Sequence, residues 1–173
     1  MLNGRKVGRL FAGRFAGAIF IISTVAVLAA AACGGGDGTK TPTVAPTATP
    51  DAVAAYKANA NSLVTTLGKQ TDTALQDMQT AQTSQTDPKW GTVLPADADL
   101  ITASAAQLKA LTSPGGSLAP VAAALSAAAD RLAQGAQFLK QSVQAADPAA
   151  GAQAFAALSE GRGMLTAAAA GLQ

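Results

Sequence analysis

Apolar and small residues follow one another at alternating steps of three and four through Leu118, Val121, Leu125, Ala128, Leu132, Gly135 and Leu139, and the stripe returns at Ala146. A helix turns once every 3.6 residues, so this spacing lines one face of a helix, whereas a strand repeats every two. The same period runs through Val53, Tyr56, Ala60, Leu63, Leu67, Ala74, Met78 and Ala81. It recurs in Ala154, Leu158, Gly161, Leu165, Ala168 and Leu172, and more briefly in Ile101, Ser104, Leu108 and Leu111. Steps of three and four suit helices that pack nearly parallel or antiparallel to one another. The pattern predicts an all-α fold, an antiparallel four-helix bundle whose last two helices form a hairpin.

Turn chemistry divides the stripes. Thr49-Pro50-Asp51 offers a capping hydroxyl, a proline at the first helical position and an acid in the first turn. The first helix is expected to run from there to just before Asp87-Pro88, with Gly68 as its weak point. Residues 87–95 (DPKWGTVLP) read as a loop carrying the sole tryptophan, followed by a second helix capped by Asp97 or Asp99. Ser113-Pro114-Gly115-Gly116 breaks that helix. Ser117 is placed to cap a third, and Asp147-Pro148 a fourth. Composition agrees: hydrophobic residues are 49% of the chain and aromatics only 4%, so alanine and leucine dominate. Alanine favours helix and fills a strand face poorly.

The last two helices echo each other. Residues 132–139 read LAQGAQFL and residues 158–165 read LSEGRGML. With a reversal at Asp147-Pro148, Gly135 and Gly161 come to similar heights on facing helices. A mid-helix glycine costs about 1 kcal/mol relative to alanine, and close approach of the two backbones is the expected compensation. Room for a ligand is the alternative.

The N-terminal segment carries a different message. Arg5, Lys6, Arg9 and Arg14 precede an uncharged run over residues 15–32, which ends at Cys33, the only cysteine. A basic start, an apolar stretch and small residues at its end form an export signal. Ala30-Ala31-Ala32-Cys33, with Leu28 upstream, resembles the lipobox of bacterial lipoproteins, although Ala30 stands where that pattern prefers leucine. The resemblance implies a diacylglycerol on the Cys33 sulfur and cleavage just before it. Ala30 and Ala32 also fit ordinary signal cleavage, which would release a secreted protein. The apolar run is close to the roughly 20 residues of a membrane-spanning anchor. In every case the basic residues stay inside and the folded part outside the cytoplasmic membrane.

The domains expected are a signal peptide over residues 1–32, a Gly/Thr/Pro-rich flexible linker over 33–49 and a helical bundle over 50–173. The 16 residues 34–49 bury little apolar area and reach about 50 Å when stretched. Together with the helical C-terminal part, this layout is similar to small bacterial lipoproteins with a helical domain of unknown function, from which no catalytic residue carries over.

Charge and residue inventory narrow the chemistry. Four of the 12 basic residues belong to the leader, leaving eight against ten acidic ones and a net of −2 from Cys33 onward. A nucleic-acid binder needs a basic face, so no nucleic acid is expected. Histidine is absent, which removes Ser-His-Asp and Cys-His catalysis and the usual zinc sites. Among carboxylates, Asp97 and Asp99 read as caps, and Asp72 and Asp77 are spread around the first helix. Trp90, because tryptophan dominates binding hot spots, and Arg162, beside the inward stripe of the last helix where an anion or an acidic partner would meet it, are the candidate partner contacts; a lid over the bundle end and an edge ion pair or snorkelling arginine are their structural alternatives. No catalytic, cofactor or metal site is expected.

The expectation is a non-enzymatic helical module, tethered to the membrane by a lipid on Cys33, with a structural or protein-interaction role toward an envelope partner. The alternative is a binding lipoprotein that holds a small apolar ligand or lipid between its helices.

Overall fold

Thr49 starts the first helix as its residue type predicts. Its backbone is extended, its Oγ1 accepts the Ala52 N–H at 3.4 Å, and Pro50 opens the first turn. The structure, a computed structural model, describes residues 49–84 and 86–173; the leader, Cys33 and nearly all of the linker lie outside them. The elements are α1 (Pro50–Thr83), α2 (Trp90–Ala110), α3 (Ala119–Gln144) and α4 (Pro148–Ala169), with single 3-10 turns at Gly116–Leu118 and Ala170–Leu172. The described residues contain no strand, so the fold is all-α with four helices. None of these helices is long and apolar enough to cross a membrane.

The expectations around α2 need correction. Residues 87–95 are not all loop: α2 begins at Trp90, and Asp97 and Asp99 lie inside it rather than capping it. Pro95, which reads as a terminator, is tolerated because a helix proline strips the hydrogen bond from the carbonyl four residues back. That residue is Gly91, which is exposed and has nothing within 4 Å of where its Cβ would stand. Ser117 is no cap either. It sits in the 3-10 turn, and α3 begins with no side-chain cap after Gly115 (φ 82°) and Gly116 (φ 59°) have reversed the chain.

Each helix packs on its neighbours in sequence, and α4 returns to α1. The inward stripes predicted above supply the core: Leu67, Ile101, Leu125, Leu132, Leu139, Leu158 and Leu165 are fully buried. Each such leucine contributes roughly 1.5–3 kcal/mol by leaving water.

The α3–α4 seam shows why glycines interrupt these stripes. A Cβ on Gly135 would stand 2.8 Å from Leu158 Cγ and 3.0 Å from the Leu158 backbone nitrogen. A Cβ on Gly161 would stand 2.8 Å from Leu132 Cγ and 3.1 Å from the Leu132 nitrogen. The two contacts are reciprocal, each helix lending a leucine to the notch in the other. Leu125 and Leu139 of α3 and Ala154 and Ala168 of α4 are buried as well. Close approach is therefore what offsets the helical cost of these glycines, and the space is filled by protein.

Gly68, expected as a weak point, lies within an unbroken α1. It is the seat of Arg162, whose Cζ would be 3.2 Å from a Cβ there.

Candidate functional site

Where α1 ends, α2 begins and α3 turns into α4, the helices leave an open groove of about 860 Å3. Its apolar wall comes from Met78 and Ala81 of α1, Trp90 and Leu94 of α2, and Val143 of α3; Gln82, Ser142 and Ala152 bring polar atoms or small rim positions. The chain joins the domain at the opposite end of α1, a helix of 34 residues and about 50 Å.

Two local devices shape the groove. The first holds Trp90. Asp87 Oδ1 accepts the Lys89 N–H at 3.0 Å and its carboxylate pairs with Lys89 Nζ at 3.2 Å, closing a turn that delivers Trp90 as the first residue of α2. The backbone N–H of Lys89, foremost, holds the Asp87 carboxyl below its usual range. The Trp90 indole N–H donates to Ser84 O at 3.2 Å and Ser84 Oγ at 3.1 Å, binding the end of α1 to the start of α2. Lys89 Nζ stands 4.5 Å from the ring centroid. Trp90 thus joins the core cluster at 8% exposure while lining the groove.

The second device is the α3–α4 turn. The Asp147 N–H bonds back to Ser142 O at 3.0 Å, and Ala146 takes φ 49°. This is the bonding pattern that ends many helices, with alanine in the left-handed position that normally falls to glycine. Asp147 Oδ1 accepts the Ala149 N–H at 2.9 Å and Pro148 opens α4, as the sequence predicts. Non-glycine residues in that region store strain and gather at functional surfaces; here the strained residue lines the groove.

Arg162 is occupied within the domain. Its Nε and Nη2 donate to the two Asp72 oxygens at 2.9 and 3.0 Å, and Nη1 donates to Thr166 Oγ1 at 2.6 Å. The bond to Asp72 raises the guanidinium pKa above its ordinary value. The arginine ties α4 to α1, and the structure does not bring it to the groove.

Comparisons with protein-family models, curated proteins and solved structures found no match.

The carboxylates form a cluster that sequence spacing did not reveal. Asp97 of α2 has a buried Oδ2 with no hydrogen-bond partner, and the charge that acts on it is Asp77 of α1. Burial first, then the Asp77 charge and the hydrogen bond with Asp77, push the Asp97 carboxyl up to about 6. Asp99, two residues on, turns the other way and pairs with Lys140 of α3. Among the described residues no group of three or more acids, cysteines or histidines is placed to hold a metal ion.

Of the residues singled out from sequence, Trp90 borders the groove, Arg162 lies elsewhere, and Cys33 is outside the described residues. Ala146 and Met78 were read only as stripe positions, and Val143 was not singled out; their place on the groove was not expected. The one available signal was Ala146 itself, an alanine directly before a capping Asp-Pro pair where a helix must reverse.

Proposed function

We propose that the protein is a lipid-anchored, extracytoplasmic, non-enzymatic helical module, built as an antiparallel four-helix bundle, that engages an envelope protein partner through the groove beside Trp90. The observation that carries this reading is the position of the groove, at the end of α1 remote from Pro50, where the linker joins. A membrane tether attached at one end leaves the far end free to meet a partner. The cyclic order of helix contacts and the reciprocal Gly–Leu notches support the bundle. The basic leader, the apolar run and Cys33 support the lipid anchor.

A small apolar ligand in the same groove is the second reading, favoured by a volume within the usual range for ligand sites and by walls of Trp90, Met78, Leu94 and Val143. A ligand between α3 and α4 is not favoured, since leucines fill the glycine notches there.

The test places a photoreactive amino acid at Gln82, on the exposed rim, and a control at Gly163, on an open part of α4. The expected outcome in intact membranes is a discrete polypeptide adduct from position 82 that Ala152→Glu abolishes. A lipid or small-molecule adduct from position 82 supports the second reading. Equal labelling from both positions contradicts the groove as the site.

A further inference from the structure

Charge is spread unevenly over the domain. Residues 77–99 and 140–148, the chain on either side of the two turns that border the groove, hold five acids, Asp77, Asp87, Asp97, Asp99 and Asp147, against Lys89 and Lys140. The rest of the described chain holds four acids against five bases.

Ion pairing sharpens the contrast. Away from the groove, Asp72, Asp130 and Glu160 meet Arg162, Lys109 and Arg131. Near it, Lys89 and Lys140 are taken by Asp87 and Asp99. Among the described residues this leaves Asp77, Asp97 and Asp147 without a basic partner. Asp147 lines the groove itself, with its Oδ1 on the Ala149 N–H. In sequence, Asp77 adjoins the wall residue Met78, and Asp97 follows the wall residue Leu94 by one helical turn. Burial pushes the Asp97 carboxyl up to about 6, which leaves it mostly ionised at pH 7.

The groove therefore combines apolar walls with an excess of negative charge. A neutral apolar ligand makes no use of that charge, whereas a basic amphipathic helix uses both features, its apolar face for affinity and its cations for steering and register. We infer that the groove takes a basic amphipathic helix of its partner: apolar side chains lie among Met78, Trp90, Leu94 and Val143, and lysine or arginine side chains beside them reach Asp147. Small wall residues, Ala81, Ala146, Gly151 and Ala152, let a helix come close. The site rests on the groove reading above; what is added is the chemistry of the partner.

Two synthetic helical peptides test this against the full chain in phosphatidylcholine nanodiscs. Both carry leucine at i, i+4, i+7 and i+11 and no tryptophan; one has lysine beside that face, the other glutamine. Trp90, the only tryptophan of the chain, reports binding by its fluorescence. The lysine peptide is expected to bind about tenfold tighter than the glutamine peptide, an advantage that about 0.5 M salt removes. Asp147→Asn, which keeps a side chain able to cap α4, is expected to weaken the lysine peptide about threefold. Asp51→Asn, at the other end of α1, is expected to leave it unchanged. Ala152 is exposed, and Ala152→Phe, which fills the groove without altering charge, is expected to weaken both peptides. Equal binding of the two peptides, or binding of neither, overturns the basic partner. So does lysine-peptide binding that Ala152→Phe leaves intact, because the acids then hold the peptide without the groove. A polypeptide adduct from position 82 together with equal peptide binding keeps the groove reading and rejects the basic partner, so the two fail separately.

Discussion

Gly135 and Leu158 lie so close that a single added carbon on Gly135 would come within 2.8 Å of the leucine side chain and 3.0 Å of its backbone nitrogen. Backbone cannot retreat as a flexible side chain can. Gly135→Ala is expected to destabilise the domain by about 1–3 kcal/mol, even though alanine is the better helix former by about 1 kcal/mol. Gly163→Ala is the control: nothing lies within 4 Å of its Cβ position, and a gain of about 0.5–1 kcal/mol is expected. Denaturant midpoints of the two variants check the pair. A stabilised Gly135→Ala would contradict the close approach of α3 and α4.

Ala146 gives a prediction of the opposite sign. At φ 49° its Cβ is strained, and glycine relieves this. Ala146→Gly is expected to stabilise the domain by about 1 kcal/mol, read as a shift in the thermal midpoint.

Trp90 anchors the end of the core through its ring and its two bonds to Ser84. Trp90→Ala is expected to cost about 3–5 kcal/mol, as for other buried aromatics. Trp90→Phe, which keeps a ring and loses the indole N–H, should cost about 1–2 kcal/mol. Because the chain has one tryptophan, fluorescence reports this site alone. The expected folded spectrum is blue-shifted and moves red on unfolding.

Acidity should strengthen the domain before it weakens it. The Asp97 carboxyl is held at about 6 when folded, above its ordinary 3.8, so between those values the folded state binds a proton that the unfolded chain does not. Stability from this group therefore rises as pH falls from 7 through 6 and is complete below about 4, and it is lost as pH rises again. A two-unit shift corresponds to about 3 kcal/mol at most; solvent contact around the side chain reduces the expected gain to about 1 kcal/mol. Urea midpoints at pH 7 and pH 5 check the sign, and Asp97→Asn should remove the difference.

What could be read from sequence followed from local rules. Thr49-Pro50-Asp51 and Asp147-Pro148 started helices because capping depends on residues within a few positions. The close approach at Gly135 and Gly161 was legible because both lie on helices that follow one another in sequence. Pro95 misled because its cost depends on the residue four back, and Gly91 happens to face solvent. Asp77 with Asp97, and Asp72 with Arg162, were hidden: both pairings need the register between helices, which stripes alone do not set. The groove was hidden for the same reason, since Met78 reads as core and Leu94 falls in the stretch read as a loop.

The lipid on Cys33 is the claim on which the placement of this module depends, and intact mass of the membrane-fraction protein tests it directly. The expected wild-type species begins at Cys33 and carries the added mass of a diacylglycerol on its sulfur, while Cys33→Ser lacks that mass and leaves the membrane fraction. A wild-type protein without acyl mass that fractionates identically to Cys33→Ser would contradict the account.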